Sequence, residues 1–286
     1  MANYLQRFLL ENLDIRGAVV HLDSVWEQMI SNRNYPSVVT QLLGEMSATT
    51  LLMNDQLKHQ GRLTIQLNGN GPVSLLVIDC SDQLKIRGMA KCETDVTSES
   101  PSLSDLLGDG QLVMTYDMPA KHESYQSIVP LAGNNISQIF EHYFEQSQQL
   151  SSRFFLVSTQ QMILGLFLQK MPLTDQIDPD GWSRAEALAA TIDDPALWNL
   201  SIDEILPRLF SQETIRVFDS QNVQYGCHEN PAKVYAMLRS LGRKEVNSIL
   251  KECGEVIVFD DICNREYRLN ALTVDAIFRE ASSTIH

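Results

Sequence analysis

Residues 62–93 read RLTIQLNGNGPVSLLVIDCSDQLKIRGMAKCE. RLTIQLNG, PVSLLVID and LKIRGMAKCE read as three successive strands, and NGNG and CSDQ supply the turns between them. The pattern continues downstream. QLVMTYDM (111–118) and SYQSIVPL (124–131) form a further pair, and RFFLVST (153–159) and MILGLFLQK (162–170) close the region. Two helices accompany the strands. YPSVVTQLLGEMSATTLLMNDQL (35–57) has Pro36 near its first turn and apolar residues on nearly every side, which predicts a buried helix. In NISQIFEHYFEQSQQL (135–150), Ile136, Ile139, Phe140, Tyr143 and Phe144 fall at helical spacing on one face. Residues 1–172 are therefore expected to form an α+β domain built on an antiparallel sheet.

Composition narrows the function classes. The chain has 286 residues, 44% of them hydrophobic and 20% charged, as in soluble globular proteins. A net charge of −14 argues against wholesale binding of nucleic acid or of anionic membranes. MANYLQRFLLENL lacks the basic region and small-residue cleavage site of a secretory signal, and no apolar run approaches the roughly 20 residues of a bilayer span. Five cysteines, an odd number and widely spread, point to a cytoplasmic protein with reduced thiols. No G-x-S-x-G, H-E-x-x-H or phosphate-binding P-loop signature is present, so an enzyme is not expected. NGNGPV lacks the third glycine of a dinucleotide fingerprint and reads as a hairpin turn. His122 and His142 read as surface or interface residues.

Composition shifts at Leu173. Residues 173–222 hold ten Asp or Glu against three Arg and no Lys, a net of −7. With helical patterns in SRAEALAATI and SIDEILPRLF, this reads as a thin acidic helical linker of low stability. An ordinary helical subdomain with a solvated acidic face is the alternative.

Residues 223–286 read as a small α+β module. PAKVYAMLRSL and RKEVNSILKE are helices, EVIVF and REYRL strands around the turn DDICN, and LTVDAIFREA a last helix. Modules of this size often rely on a metal or a disulfide. Strand geometry sets Cys80 and Cys92 roughly 25 Å apart, and Cys253 roughly 20 Å from the turn that holds Cys263. Cys227 and Cys263 are left as the one plausible pair.

Several stretches carry a resemblance over nearly the full length: QLLGEMSATTLLMNDQLKHQGRLTIQLNGNGPV, IRGMA, LVMTYD, YQSIVPL, YFEQSQQL and LGRKEVNSILKECGEVIVF. In this order and spacing they resemble the 33 kDa chaperonin family, bacterial redox-regulated heat-shock holdases. The resemblance implies an ATP-independent chaperone that captures unfolding client proteins. It also implies an N-terminal core, a metastable linker and a C-terminal module in which a C-x-C and a C-x-x-C bind one zinc. Oxidation in that family joins each cysteine pair, expels zinc and loosens the linker.

The sequence departs from that pattern at two positions. Glu229 stands at the second position of C-x-C after Cys227, and Asp260 at the first position of C-x-x-C before Cys263. Neither local disulfide can form. Three readings remain open. Zinc could persist on Cys227, Cys263, Asp260 and Glu229, or with His228 in place of a carboxylate, although carboxylates for thiolates weaken binding and stoichiometric zinc is not expected. A Cys227–Cys263 disulfide could close a loop of about 36 residues, contribute roughly 3–4 kcal/mol, and make oxidation rigidify the module. The most ordinary reading is two reduced thiols in a module held by packing. The function expected is a holdase for unfolded clients with its zinc switch degenerate or lost; a partner-specific regulatory protein that keeps the fold is the alternative. Assembly as a homodimer is left open.

Overall fold

The chain divides into two units, Met1–Gly226 and Cys227–His286. The computed structural model describes residues 2–57, 61–93, 102–227 and 231–283, apart from the side chains of 280–283.

The first unit runs β1 (Asn3–Leu10), β2 (Ile15–Leu22), α1 (Ser24–Ile30), α2 (Ser37–Gln56), β3 (Arg62–Asn68), β4 (Val73–Ser81), β5 (Lys85–Cys92), α3 (Leu103–Leu107), β6 (Gln111–Met118) and β7 (Glu123–Val129). It continues with α4 (Ile136–Gln148), β8 (Ser152–Ser158), β9 (Ile163–Lys170), α5 (Thr174–Ile177), α6 (Gly181–Ala189), α7 (Ile202–Leu209), β10 (Ile215–Val217), β11 (Gln221–Asn222) and β12 (Gln224–Tyr225). The expected α+β architecture is present, with two sheets in place of one. One has the order β10-β1-β2-β9-β8 with β11 also on β1; the other has the order β12-β5-β4-β3-β6-β7. All pairs are antiparallel except β12 with β5. β1, β2 and α1 have no counterpart in the sequence reading.

Helix α2 contacts strands of both sheets, which is why its apolar residues lie all round. Its buried hydroxyls are satisfied locally: Ser47 donates to Leu43 O at 2.7 Å, Thr49 to Glu45 O at 2.8 Å and Thr50 to Met46 O at 2.7 Å. At Gly44 a Cβ would stand 1.9 Å from Ser158 Oγ, so helix and strand β8 meet at a distance only glycine permits. On α4, Ile136, Ile139, Phe140 and Phe144 are buried and Tyr143 is half-buried, as the spacing predicts.

β2 and β9 are buried on both faces. Ala18, Val20, Leu22, Ile163 and Phe167 join the core around α2. Ile15, Val19, Leu164, Leu166 and Leu168 face a second core, completed by Trp182, Ala185, Ile192, Ile202, Ile205, Leu206, Leu209 and Phe210. Residues 173–222, expected as a thin linker, thus lay a full apolar stripe on the sheet. Amphipathicity reconciles this with the charge, because α7 buries Ile202, Ile205, Leu206 and Leu209 and exposes Asp203 and Glu204. Part of the acidity is also paired. Arg184 binds Asp178 at 2.8 Å and Glu213 at 2.9 Å, Arg153 binds Glu186 at 2.6 Å, and Lys170 binds Asp175 at 2.6 Å. The boundary expected at 223 falls after Gly226, because β11 pairs with β1 and β12 with β5.

The second unit holds α8 (Pro231–Leu241), α9 (Arg243–Cys253), β13 (Val256–Asp260), β14 (Arg265–Leu269) and α10 (Ala271–Ser283), in the order the sequence predicts. Its core is small: Val234, Leu238, Val246, Val256, Leu269, Val274 and Ile277.

Leu206→Ala should therefore destabilise the first unit by about 2–5 kcal/mol. Amides of 173–210 should then exchange faster than those of β3–β5. A cost under about 1 kcal/mol by chemical denaturation would mean that the segment is only loosely laid on the sheet.

Candidate functional site: a covered apolar face and a cysteine module

Two features carry functional chemistry, one in each unit. In the first, the outer face of β1, β2 and β9 presents Phe8, Leu10, Ile15, Val19, Leu164, Leu166 and Leu168 under the acidic segment. The rings of Phe8 and Phe210 stand 5.8 Å apart at the centre of this contact. Polar clasps hold the margins. Ile202 N donates to Tyr4 Oη at 3.1 Å, Thr174 Oγ1 to Asp14 O at 2.8 Å, and Asn12 Nδ2 to Glu213 Oε2 at 2.5 Å. Twin bonds to Asp178 and Glu213 hold the Arg184 guanidinium above its ordinary pKa, and the bond to Arg184 holds Asp178 below the usual carboxylate range. Arg184 and Asp178 are partly open to water, where such a pair contributes little, while the Glu213 carboxylate is buried. The cover is held mainly by apolar contact, so lifting it exposes a broad apolar face at once.

In the second unit Cys227 and Cys263, 36 positions apart in sequence, are joined by a disulfide with Cα atoms 5.4 Å apart. The bond ties the start of the module to the β13–β14 turn. Asp260 serves that turn: its Oδ1 accepts from Cys263 N at 3.1 Å, and Asn264 takes the left-handed conformation that returns the chain into β14. Glu229 and His228, the other candidate ligands, lie outside the described residues. A four-thiolate zinc site does not fit what is present. The two sulfurs are bonded to each other and offer no thiolate, and the Asp260 carboxylate is engaged with a backbone amide. Among the described residues no three His, Cys, Asp or Glu side chains gather as a metal-binding group.

The other cysteines stand apart. Cys80 faces Ile86 across the β4–β5 hairpin while Cys92 faces Val73, and both are free, as is Cys253 at the exposed end of α9. Burial first, then the neighbouring Asp79 charge, drives the Cys80 thiol far above its ordinary range, and burial also raises Cys92. Neither is poised to react. His122 is exposed at a left-handed turn after β6, and His142 is half-buried on α4.

Sequence reasoning singled out the cysteines and carboxylates and missed the apolar face. Its signals were the unbroken run ILGLFL in β9 and the i, i+3, i+4, i+7 spacing of Ile202, Ile205, Leu206 and Leu209.

Comparison with known proteins places the fold. The family model described as Hsp33 protein matches residues 3–270. The chain is 36% identical to the 33 kDa chaperonin of Methylobacillus flagellatus, over 97% of this chain and 95% of that one. It is 35% identical to the 33 kDa chaperonin of Vibrio cholerae, over 99% of both. The crystal structure of the 33 kDa chaperonin (heat shock protein 33 homolog) of Thermotoga maritima superposes with a TM-score of 0.79 at 20% identity, covering 98% of this chain and 99% of that one. With a matching family model across nearly its whole length and relatives above a third identical throughout, the chain belongs to the Hsp33 family.

Proposed function

We propose that this chain is an ATP-independent holdase chaperone whose client surface is the outer face of β1, β2 and β9. One observation carries the reading: a continuous apolar face is closed by a segment that also bears half of the net charge. A face of this kind binds apolar stretches of unfolding proteins without turnover, and no catalytic step is needed. Heat favours opening, because the segment's ordering entropy grows in weight while its margin pairs contribute little. The spread of cysteines supports a cytoplasmic location, and among the described residues no helix is long and apolar enough to cross a membrane.

The cysteine module sets the redox sign. On this reading it carries no resident zinc, and the pair Cys227 and Cys263 acts as a single dithiol that oxidation closes. Closing its loop restricts the unfolded chain and stabilises the module, where the family's paired disulfides would loosen it.

Three measurements test this. Under oxidising conditions the double substitution Cys227→Ser with Cys263→Ser should cost the module about 3–4 kcal/mol, and reductant should abolish the difference. Protein purified without chelator should carry far less than one zinc per chain; stoichiometric zinc released on substituting either cysteine would defeat the assignment. Aggregation suppression should rise with temperature in wild type and double variant alike and respond weakly to peroxide. Sharp peroxide activation of the wild type, absent in the double variant, would restore an activating redox trigger. Failure to suppress aggregation of several unrelated clients at any temperature would remove the holdase reading itself.

A further inference from the structure

At the C-terminal end of α2, against β1 and β2, lies a cavity of about 440 Å³ that the holdase reading does not use. Its volume lies in the range of small-molecule sites. Two arginines line it, Arg7 of β1 and Arg16 of β2, and both keep surface open to solvent. Arg7 pairs in register with Ala18, and Leu9 with Arg16, so the two arginines are diagonal neighbours on one face of the sheet. Diagonal neighbours have Cβ atoms about 7–8 Å apart or less, within reach of each other for side chains of this length. Both heads also lie near one carboxylate. Arg7 Nε stands 3.2 Å from Asp55 Oδ1, and the Arg16 charge is close enough to favour the ionised form of Asp55 as well.

The charges in this cavity do not balance. Among the described residues Asp55 is the one carboxylate that lines it, against two guanidinium groups. The Asp55 side chain is 3% exposed and already engaged, by Arg7 and by Gln221 Nε2 at 3.3 Å. Arg16 touches no carboxylate. Its Nε donates to Gln169 Oε1 at 2.7 Å, and its Nη2 donates to the same oxygen. Gln169 is fully buried and is itself fixed, donating through Nε2 to Ser152 Oγ at 3.0 Å. A neutral amide therefore holds the Arg16 head in place, and burial, only partly offset by Asp55, pulls its pKa below the ordinary arginine range. A desolvated charge is normally met by an opposite charge in contact, which the protein does not give Arg16. Among the described residues Arg16 Nη1 and both Nη atoms of Arg7 make no hydrogen bond, so donors remain for an acceptor in the cavity. A doubly charged anion would set surplus negative charge beside Asp55, and a neutral group would leave Arg16 without a counter-charge. A monocarboxylate matches the single surplus positive charge and accepts from both guanidinium groups at once. Leu57, Phe167, Met171 and Phe218 provide apolar surface for the rest of the molecule.

We propose that this cavity is a binding site for a monocarboxylate on a small apolar body, with Arg7 and Arg16 donating to the carboxylate and Phe167, Met171 and Phe218 packing on the body. The site does not rest on the holdase reading. Side chains alternate across a strand, and Arg7 and Arg16 share the α2 side of the sheet with Leu5, Ala18 and Val20, whereas the covered apolar face is the other side.

A free organic acid and the C-terminal carboxylate of a peptide share this chemistry, so 3-phenylpropionate and N-acetylphenylalanine serve as two probes. The matched neutral molecule is 3-phenylpropanamide, and phenyl phosphate is the doubly charged control. In titrations of the full chain at least one carboxylate should bind saturably and shift the Arg16 Nε–H resonance, and the amide and phenyl phosphate should bind at least tenfold more weakly. A tighter 3-phenylpropionate identifies a free acid, and a tighter N-acetylphenylalanine a chain terminus. Arg16→Gln keeps a donor for Gln169 and removes the charge, and should weaken carboxylate binding about tenfold or more. Arg7→Gln alters an exposed side chain, should weaken binding in the same direction, and keeps the test open should Arg16→Gln fail to fold. Arg216→Gln, outside the cavity, should leave binding unchanged and so separates a site from general attraction of anions. Absence of binding by both carboxylates, equal or tighter binding of the amide or of phenyl phosphate, undiminished binding by a folded Arg16→Gln or by Arg7→Gln, or equal weakening by Arg216→Gln would overturn the site.

Discussion

Strands β2 and β9 are apolar on both faces, and a sheet with two apolar faces must be covered twice. On one side the constraint selects α2, a helix packed between two sheets, with hydroxyls turned back onto its own carbonyls so that no polar group is stranded. On the other side it selects the acidic segment. That cover is made of short helices and turns, and most of its charged residues face water. The two sides are therefore unequal: one is anchored in the interior of the unit, and the other is a surface layer whose removal leaves the α2 core standing. A chaperone that must expose apolar surface without unfolding needs this asymmetry.

Much of the architecture could be read from the chain. β3, β4 and β5 alternate and are punctuated by glycine- and polar-rich turns, and α2 is too apolar all round to be a surface helix. The order of elements in the C-terminal module was equally plain. β1 and β2 were not, because NYLQRFLL and IRGAVVHL meet no strong turn signal and their apolar runs suit several structures. The acidic segment misled for another reason. Net charge averages over faces, whereas packing depends on which face each residue takes, so −7 across 173–222 concealed the stripe from Trp182 to Phe210. Cys227 and Cys263 could be singled out from sequence as the one plausible pair, but their bond was only one of three readings, behind two reduced thiols.

The C-terminal module is small enough to need a staple. Among the described residues seven buried hydrophobics make the core, too small to be robust alone, so some cross-link is favoured at the position where β13–β14 turns against the start of the module. A tetrahedral metal and a disulfide meet that need with different geometry. The metal needs four ligands to converge, and the disulfide needs two Cα atoms at about 5–6 Å. In this chain the disulfide is present, and Asp260 serves the turn.

The Asp260 bond also limits what this turn can become. Asp260 orders the backbone at Cys263, so a cysteine at position 260 would remove the bond that shapes the turn. It would also set a third thiol three positions from an existing disulfide, where exchange among the three sulfurs would scramble the pairing. A second local cross-link is thus reached only through a form that loses the turn and endangers the bond already made.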